Sequence, residues 1–132
     1  KFMKALPPDL RAKVCAILVN VSELRKVSRG QAWIREHEHS KDKGYVLLVG
    51  SVVIRKENAP EVECVAPELL GEMMQFSPSH ERTATVVADT DCIVMRFFFF
   101  FFWKRTALSL APEDQERVRA ALEDVAWEHL TG

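Results

Sequence analysis

The sequence predicts a mainly β domain with flanking helices, an α+β fold in which a jelly-roll-like β-roll lies between an N-terminal and a C-terminal helix. Three observations predict it: an amphipathic segment near each end, seven short β-prone runs between them, and Gly, Pro or charged turns that separate those runs. A chain of 132 residues can bury one core and is short for two. We therefore expect residues 1–132 to form a single domain.

The first helix is predicted over residues 8–21. Pro7 and Pro8 followed by Asp9 suit a helix start, because proline is tolerated in the first turn and an acid there complements the helix dipole. Apolar side chains then recur at helical spacing, namely Leu10, Val14, Ile17, Leu18 and Val21.

The β-roll is predicted to follow in seven strands and to end in a second helix. The strands occupy residues 24–27, 32–35, 44–49, 51–56, 61–65, 83–87 and 91–97. The C-terminal helix is predicted over residues 113–130. Acids lead it at Glu113, Asp114 and Glu116, and an apolar stripe follows at Val118, Ala121, Leu122, Val125 and Trp127.

Charge and hydropathy exclude several function classes. The 18 basic and 19 acidic side chains give a formal net charge of -1, which is not the basic footprint of a nucleic-acid-binding surface. No window approaches the roughly 20 apolar residues of a membrane span.

Cys15, Cys64 and Cys92 lie among apolar neighbours and are predicted to be buried reduced thiols. We expect a cytoplasmic domain without a membrane segment. Because the chain begins without Met, we also expect a fragment of a larger regulatory protein.

The chemistry of the sequence is concentrated between residues 71 and 84. A glycine opens a helical turn there, and an arginine and a hydroxyl follow after a loop; the candidate ligand-binding residues are Gly71, Glu72, Met73, Met74, Arg82, Thr83 and Ala84. Backbone N–H groups at a first helical turn favour an anion, and a guanidinium offers phosphate a two-pronged donor. The Glu72 carboxylate can accept from a ribose hydroxyl and hold Arg82 in position. Residues in this arrangement can bind a sugar phosphate.

These residues resemble the phosphate-binding cassette of the cyclic-nucleotide-binding domain family, which is found in catabolite activator protein, kinase A regulatory subunits and cyclic-nucleotide-gated channels. The similarity extends to residues 6–10, 27–34 and 45–52, which resemble the first helix, the entry strand and the central hairpin of the family. It implies a short cassette helix after Gly71, Glu72 as the ribose ligand, and Arg82 with Thr83 as the phosphate ligands. It also implies that the base meets the β-roll and the C-terminal helix, where Arg119, Glu123 and Trp127 are candidates.

Two segments depart from the family pattern. Residues 36–40, Glu-His-Glu-His-Ser, replace the usual Gly-Asp or Gly-Glu turn, and we expect this turn to lie away from the cassette. The run of six phenylalanines at 97–102 cannot face one core completely, since a strand or a helix points some of the rings outward. Such a run is typical of a partner or domain interface or of an altered stretch of sequence, and it is assigned no function.

Three hypotheses of different classes remain open. The first is a regulatory sensor of a cyclic mononucleotide, with cAMP slightly favoured over cGMP, that moves its C-terminal helix to control an attached effector domain or a partner protein, with a homodimer as one arrangement. The second is a ligand-free interaction domain of the same fold. The third is a cupin-like metal site at His37 and His39, for which His80 is the only candidate for the later ligand; a solvated turn is favoured instead. No catalytic group, metal or cofactor is predicted.

Overall fold

A computed structural model describes residues 2–71 and 81–131 of the chain, with side chains to residue 125. In these residues a 3-10 turn, Met3–Ala5, leads into helix α1, Pro8–Val21. Two further helices follow the strands, α2 at Phe99–Ser109 and α3 at Pro112–Thr131. The eight strands between them are β1 Glu23–Val27, β2 Ala32–Ile34, β3 Lys43–Val49, β4 Ser51–Arg55, β5 Val62–Val65, β6 Glu68–Leu70, β7 Thr85–Ala88 and β8 Cys92–Phe98.

The strands form two antiparallel sheets that enclose the interior of the roll. One sheet has the order β1-β8-β3-β6, and the other has the order β2-β7-β4-β5. In the first sheet Tyr45 is paired with both Leu70 and Arg96, so the centre of β3 lies between β6 and β8. The predicted fold class, a β-roll with flanking helices, is confirmed; the short cassette helix falls outside the described residues.

Two apolar clusters stabilise this arrangement. The roll core lies between the sheets and consists of Val27, Ile34, Tyr45, Leu47, Val52, Leu70, Val86, Ala88, Cys92 and Val94. The helical core joins the three helices to the outer face of the first sheet and includes Leu10, Val14, Ile17, Leu69, Phe97, Phe102, Val118 and Leu122. The stripe predicted for the first helix is buried in this second cluster at every position except Val21, which is partly buried against it.

The predicted elements agree with the structure to within about two residues, but the 3-10 turn, strand β6 and helix α2 were missed. Helix α1 has the predicted bounds, and all seven predicted strands are present. Strand β6 escaped prediction because three residues beginning with Glu68 are too few to show an alternating pattern. Helix α2 escaped prediction because its first four residues belong to the phenylalanine run and carry no polar contrast.

The phenylalanine run is divided between β8 and α2. Phe97, Phe99 and Phe102 are buried in the helical core, whereas Phe100 and Phe101 are 62% and 52% exposed. The expectation that the six rings could not all face one core is confirmed. Gly44 makes room for the buried rings, since a Cβ there would lie 2.6 Å from atoms of both Phe97 and Phe99.

The cysteine prediction was wrong for two of the three side chains. Cys92 is buried in the roll core, but Cys64 is half-buried and Cys15 lies on the exposed face of α1. Apolar neighbours in sequence did not imply burial, because on a helix or a strand adjacent residues face different directions.

Candidate functional site

Gly71 directly follows β6 and has a backbone conformation that favours glycine. Its φ is +86°, and a Cβ built on it would lie 2.5 Å from the Arg82 Nη1 atom. Any other residue here would have a strained left-handed backbone, and its side chain would collide with the guanidinium of Arg82. The geometry therefore explains why a glycine occupies position 71.

Arg82 lies directly beside Gly71, although the two are eleven positions apart in sequence. Its side chain is only 7% exposed. The Nη1 group donates to the Gly71 carbonyl at 3.2 Å, and Nη2 donates to the carbonyls of Lys43 at 2.8 Å and Ser40 at 3.4 Å. The structure thus brings together the two cassette residues that the sequence singled out on either side of the loop, and three backbone carbonyls hold the cation.

The ring of Tyr45 lies next to this cation. The Arg82 guanidinium carbon lies 5.9 Å from the ring centroid of Tyr45, within the range of a cation–π contact. The Trp33 ring meets the Tyr45 ring edge-on at 6.2 Å between centroids, and the Trp33 Nε1 atom is buried without a hydrogen-bond partner in the described residues. The guanidinium therefore lies at the boundary between the roll core and the turn before β3.

The turn at residues 36–40 is a neighbour of Arg82, contrary to our expectation from the sequence. The Arg82 N–H donates to the Glu38 carbonyl at 2.7 Å, and the His37 N–H donates to the Arg82 carbonyl at 2.9 Å. The Ser40 carbonyl also accepts from the guanidinium. The sequence could not show this, because the antiparallel contact joins residues more than forty positions apart.

The other predicted ligand-binding residues divide into two groups. Thr83 and Ala84 are described, and they are half-buried in the bend between Arg82 and β7. Glu72, Met73 and Met74 lie outside the described residues, as does His80. The contacts predicted for the ribose and for the cassette helix therefore stay predictions.

Positive charge is concentrated next to the site. Burial lowers the pKa of Lys43 below its usual 10.5, and the positive charges of Arg96 and Lys41 lower that pKa further, followed by Arg82 and Arg25. The Glu23 carboxylate binds two of these cations, with Arg25 Nη2 at 2.7 Å and Arg96 Nη2 at 3.1 Å. Lys43 thus lies among several basic side chains, two of which the Glu23 carboxylate pairs, although the whole chain is nearly neutral.

The two histidines of the turn do not have the arrangement that a cupin-like site requires. That hypothesis placed them on a strand with side chains on one face, but His37 is in a turn with φ +71°. Its Nε2 atom lies 3.7 Å from a Glu57 carboxylate oxygen, whereas the His39 Nδ1 atom accepts from the Lys41 N–H at 3.0 Å. The side chains are exposed and engage different partners, so the solvated-turn interpretation agrees with the structure.

Helix α3 packs on the helices rather than into the roll. Its buried side chains, Val118, Ala121, Leu122 and Val125, belong to the helical core. The Arg119 guanidinium lies 4.9 Å from the ring centroid of Trp103 in α2. Arg119, one of the helix residues considered for base recognition, is therefore engaged by α2 in this conformation.

Comparison with known proteins shows the fold. No protein-family model and no curated protein matches the sequence. Among solved structures, the c-di-GMP-responsive global regulator CLP of Xanthomonas campestris matches with a TM-score of 0.72 at 22% identity, over 91% of this chain and 59% of its own. A structure from a cyclic-GMP-dependent signalling pathway that regulates bacterial phytopathogenesis matches with a TM-score of 0.72 at 16% identity, over 92% and 94% of the two chains.

A third match is the CBD2 domain of PKAR bound to Sp-2Cl-cAMPS, with a TM-score of 0.64 at 22% identity over 92% of this chain and 83% of that one. The chain therefore has the β-roll fold of cyclic-nucleotide-binding domains, and the resemblance predicted from the sequence is confirmed at the level of the fold. The chain spans 59% of the length of the Xanthomonas regulator. In the described residues no helix is both long and apolar enough to cross a bilayer.

Proposed function

We propose that this domain binds a cyclic mononucleotide, with cAMP slightly favoured over cGMP, and regulates an effector attached to it. The observation that carries the proposal is the buried guanidinium of Arg82 at the positive-φ carbonyl of Gly71. A buried cation next to the end of a strand is placed to receive one phosphate, and phosphate accepts strong two-pronged hydrogen bonds from arginine.

In the proposed complex different residues of the cassette bind the phosphate and the ribose. Arg82 and the Thr83 hydroxyl donate to the phosphate, backbone groups at Gly71, Met73 and Met74 line its other side with Ala84, and Glu72 accepts from the ribose hydroxyl. In the described residues the carbonyls of Gly71, Ser40 and Lys43 already accept hydrogen bonds from this guanidinium, so a phosphate would add to these partners or replace some of them. Lys43 and its basic neighbours add to the local field that attracts an anion.

The proposed output is a change in the docking of α3. Val118 and Leu122 are fully or almost fully buried in the helical core, so α3 is held against α1 and α2 in the conformation described here. A ligand that binds one arrangement of the helices better than another shifts the population toward it. The effector is an attached domain or a partner protein, and this domain itself makes no direct contact with nucleic acid.

A second candidate function is an interaction domain that keeps the fold and binds no nucleotide. The observation that favours it is that backbone carbonyls already hold the Arg82 guanidinium, as they do where a buried arginine is purely structural. The two candidates differ in a single measurable property, the affinity of the intact domain for a cyclic phosphate.

Calorimetric titration of the domain with cAMP, cGMP and c-di-GMP tests the proposal, with linear 5'-AMP as the ligand control. Micromolar or tighter binding of a cyclic mononucleotide, at least about a hundredfold weaker in Arg82→Ala, supports it, because a lost pair of hydrogen bonds to a charged phosphate corresponds to about 3 kcal/mol. Arg55→Ala is the matched control variant, since Arg55 is exposed on β4 and paired with Glu61. If no cyclic nucleotide bound, the result would support the interaction domain instead, whereas equal affinity in Arg82→Ala would contradict the role proposed for Arg82.

A further inference from the structure

We propose that Asp42 is a positioning residue that couples the Arg82 site to helix α2. One short turn, residues 40–43, makes hydrogen bonds to both. The turn lies between the guanidinium of Arg82 and the first turn of α2. A displacement of the guanidinium that moves the turn therefore also moves the groups that bind the start of α2. Only the final step of this inference, the response to ligand, rests on the proposed function.

At the Arg82 end, the turn supplies two carbonyl groups. The Arg82 Nη2 group donates to the carbonyls of Ser40 and Lys43, the first and last residues of the turn. Ser40 is 4% exposed, which places its bonds away from competing water. The guanidinium therefore fixes the position of the turn from inside the protein.

At the helix end, Asp42 binds two successive N–H groups of α2. Its backbone carbonyl accepts from the Phe99 N–H at 2.9 Å, and its carboxylate accepts from the Phe100 N–H at 2.8 Å. The Phe98 cap residue of α2 makes no side-chain cap bond of its own. Asp42 thus acts as the cap of α2 from a distant part of the sequence, satisfying donors that a helix leaves unpaired at its start.

The turn itself has a conformation that its contacts must maintain. Lys41 and Asp42 have φ values of +52° and +63°, in the left-handed region that non-glycine residues rarely adopt. The Ser40 side chain accepts from the Asp42 N–H at 3.3 Å, and the Lys43 N–H donates to the Ser40 carbonyl at 3.2 Å. A turn of this kind persists only while its surroundings hold it, so loss of the Arg82 contacts releases it.

Movement of the turn has a direct route to the rest of the helical core. Phe99 and Phe102, two buried residues of α2, pack in the cluster that also contains Val118 and Leu122 of α3. A phosphate that draws the Arg82 guanidinium away from the Ser40 and Lys43 carbonyls would loosen the Asp42 cap and with it the start of α2. This gives the helices a connection to the ligand site that does not require α3 to touch the nucleotide.

Amide hydrogen exchange of the ligand-free protein tests the coupling. We expect Arg82→Ala to raise the exchange rates of the Phe99 and Phe100 amides about tenfold relative to the amides of β4, a central strand of the other sheet, which serve as the measure of global opening. Arg82→Lys serves if Arg82→Ala does not fold, since one ammonium group lacks the guanidinium's planar fork for several carbonyls. Arg55→Ala is the matched control. Unchanged rates at Phe99 and Phe100 in the Arg82 variants would overturn the proposal.

Variants of Asp42 separate its cap from a general effect on folding. Asp42→Ala should raise the Phe100 rate about tenfold, and Asp42→Asn should restore most of the protection, because an amide oxygen still accepts a hydrogen bond. Equal exchange in Asp42→Ala and the wild type would contradict the proposed role of the carboxylate.

Added cAMP tests the last step. Bound ligand should raise the Phe99 and Phe100 rates in the wild type, and in Asp42→Ala it should bind without a further rise at Phe100. Binding without any change at these amides would overturn the coupling to ligand. If cAMP does not bind but Arg82→Ala still raises the rates, the proposed function fails and the coupling between Arg82 and α2 stands.

Discussion

Replacement of Gly71 by alanine should destabilise the domain through Arg82, and the size of the effect follows from two separate costs. The left-handed φ of +86° costs an alanine about 1–2 kcal/mol. The new Cβ would also lie 2.5 Å from Arg82 Nη1 and displace a guanidinium whose bond to the Gly71 carbonyl contributes about 1.5–3 kcal/mol. The sum is a loss of about 2.5–5 kcal/mol.

A double-mutant cycle separates these two costs. In an Arg82→Ala background the alanine at position 71 meets no guanidinium, so only the backbone cost of about 1–2 kcal/mol remains. The coupling between the two substitutions should therefore be about 1.5–3 kcal/mol, the contribution of the hydrogen bond.

Urea unfolding of the four proteins, monitored by circular dichroism, measures this coupling. The midpoint should fall with an unchanged m-value, since the surface exposed on unfolding is the same. Equal destabilisation by Gly71→Ala in the wild-type and Arg82→Ala backgrounds would refute the placement of the guanidinium beside Gly71.

Three further predictions concern the helical core and the basic cluster. Gly44→Ala should cost about 1–3 kcal/mol in urea unfolding, because its Cβ would press on buried Phe rings at 2.6 Å; a cost near zero would contradict that packing. Phe102→Ala should cost about 3–5 kcal/mol and Phe101→Ala less than about 1 kcal/mol, since Phe102 is buried and Phe101 is 52% exposed; equal losses would contradict the described division of the run. Lys43 should lose its proton at a lower pH than lysine in the unfolded chain, so the free energy of unfolding should rise with pH through the window just below 10.5. NMR titration of its side chain measures this, and a pKa at or above 10.5 would contradict the effect of burial and of the neighbouring cations.

The periodic elements of the fold could be predicted from the sequence because their residues repeat at the spacing of their structure. Val14, Ile17 and Leu18 mark the buried side of α1, and they are buried in the helical core. Helix α2 could not be predicted in this way, since identical side chains at 99–102 give no polar contrast. Its start is set instead by bonds from Asp42 and by the space at Gly44, which depend on the folded chain.

The candidate site was predictable in its residue types and not in its surroundings. Gly71 and Arg82 could be named from spacing and family resemblance, and the structure brings the two together. The partners that hold the guanidinium are backbone carbonyls at Ser40 and Lys43, and a carbonyl carries no signature of residue type. Tyr45 could not be singled out either, because β3 is apolar at every position from Tyr45 to Val49 and the strand pattern does not show which rings enter the roll core.

The most direct test of the proposed function is the stability of the domain in cAMP, because it does not depend on the heat of binding. A ligand that binds only the folded state at one hundred times its Kd adds about 2.7 kcal/mol to the free energy of unfolding. We expect a gain of this size in the wild type with 1 mM cAMP if the Kd is about 10 μM, and almost none in Arg82→Ala or with 5'-AMP. An equal gain in Arg82→Ala, or no gain in the wild type, would contradict the account that Arg82 receives the phosphate of a cyclic nucleotide.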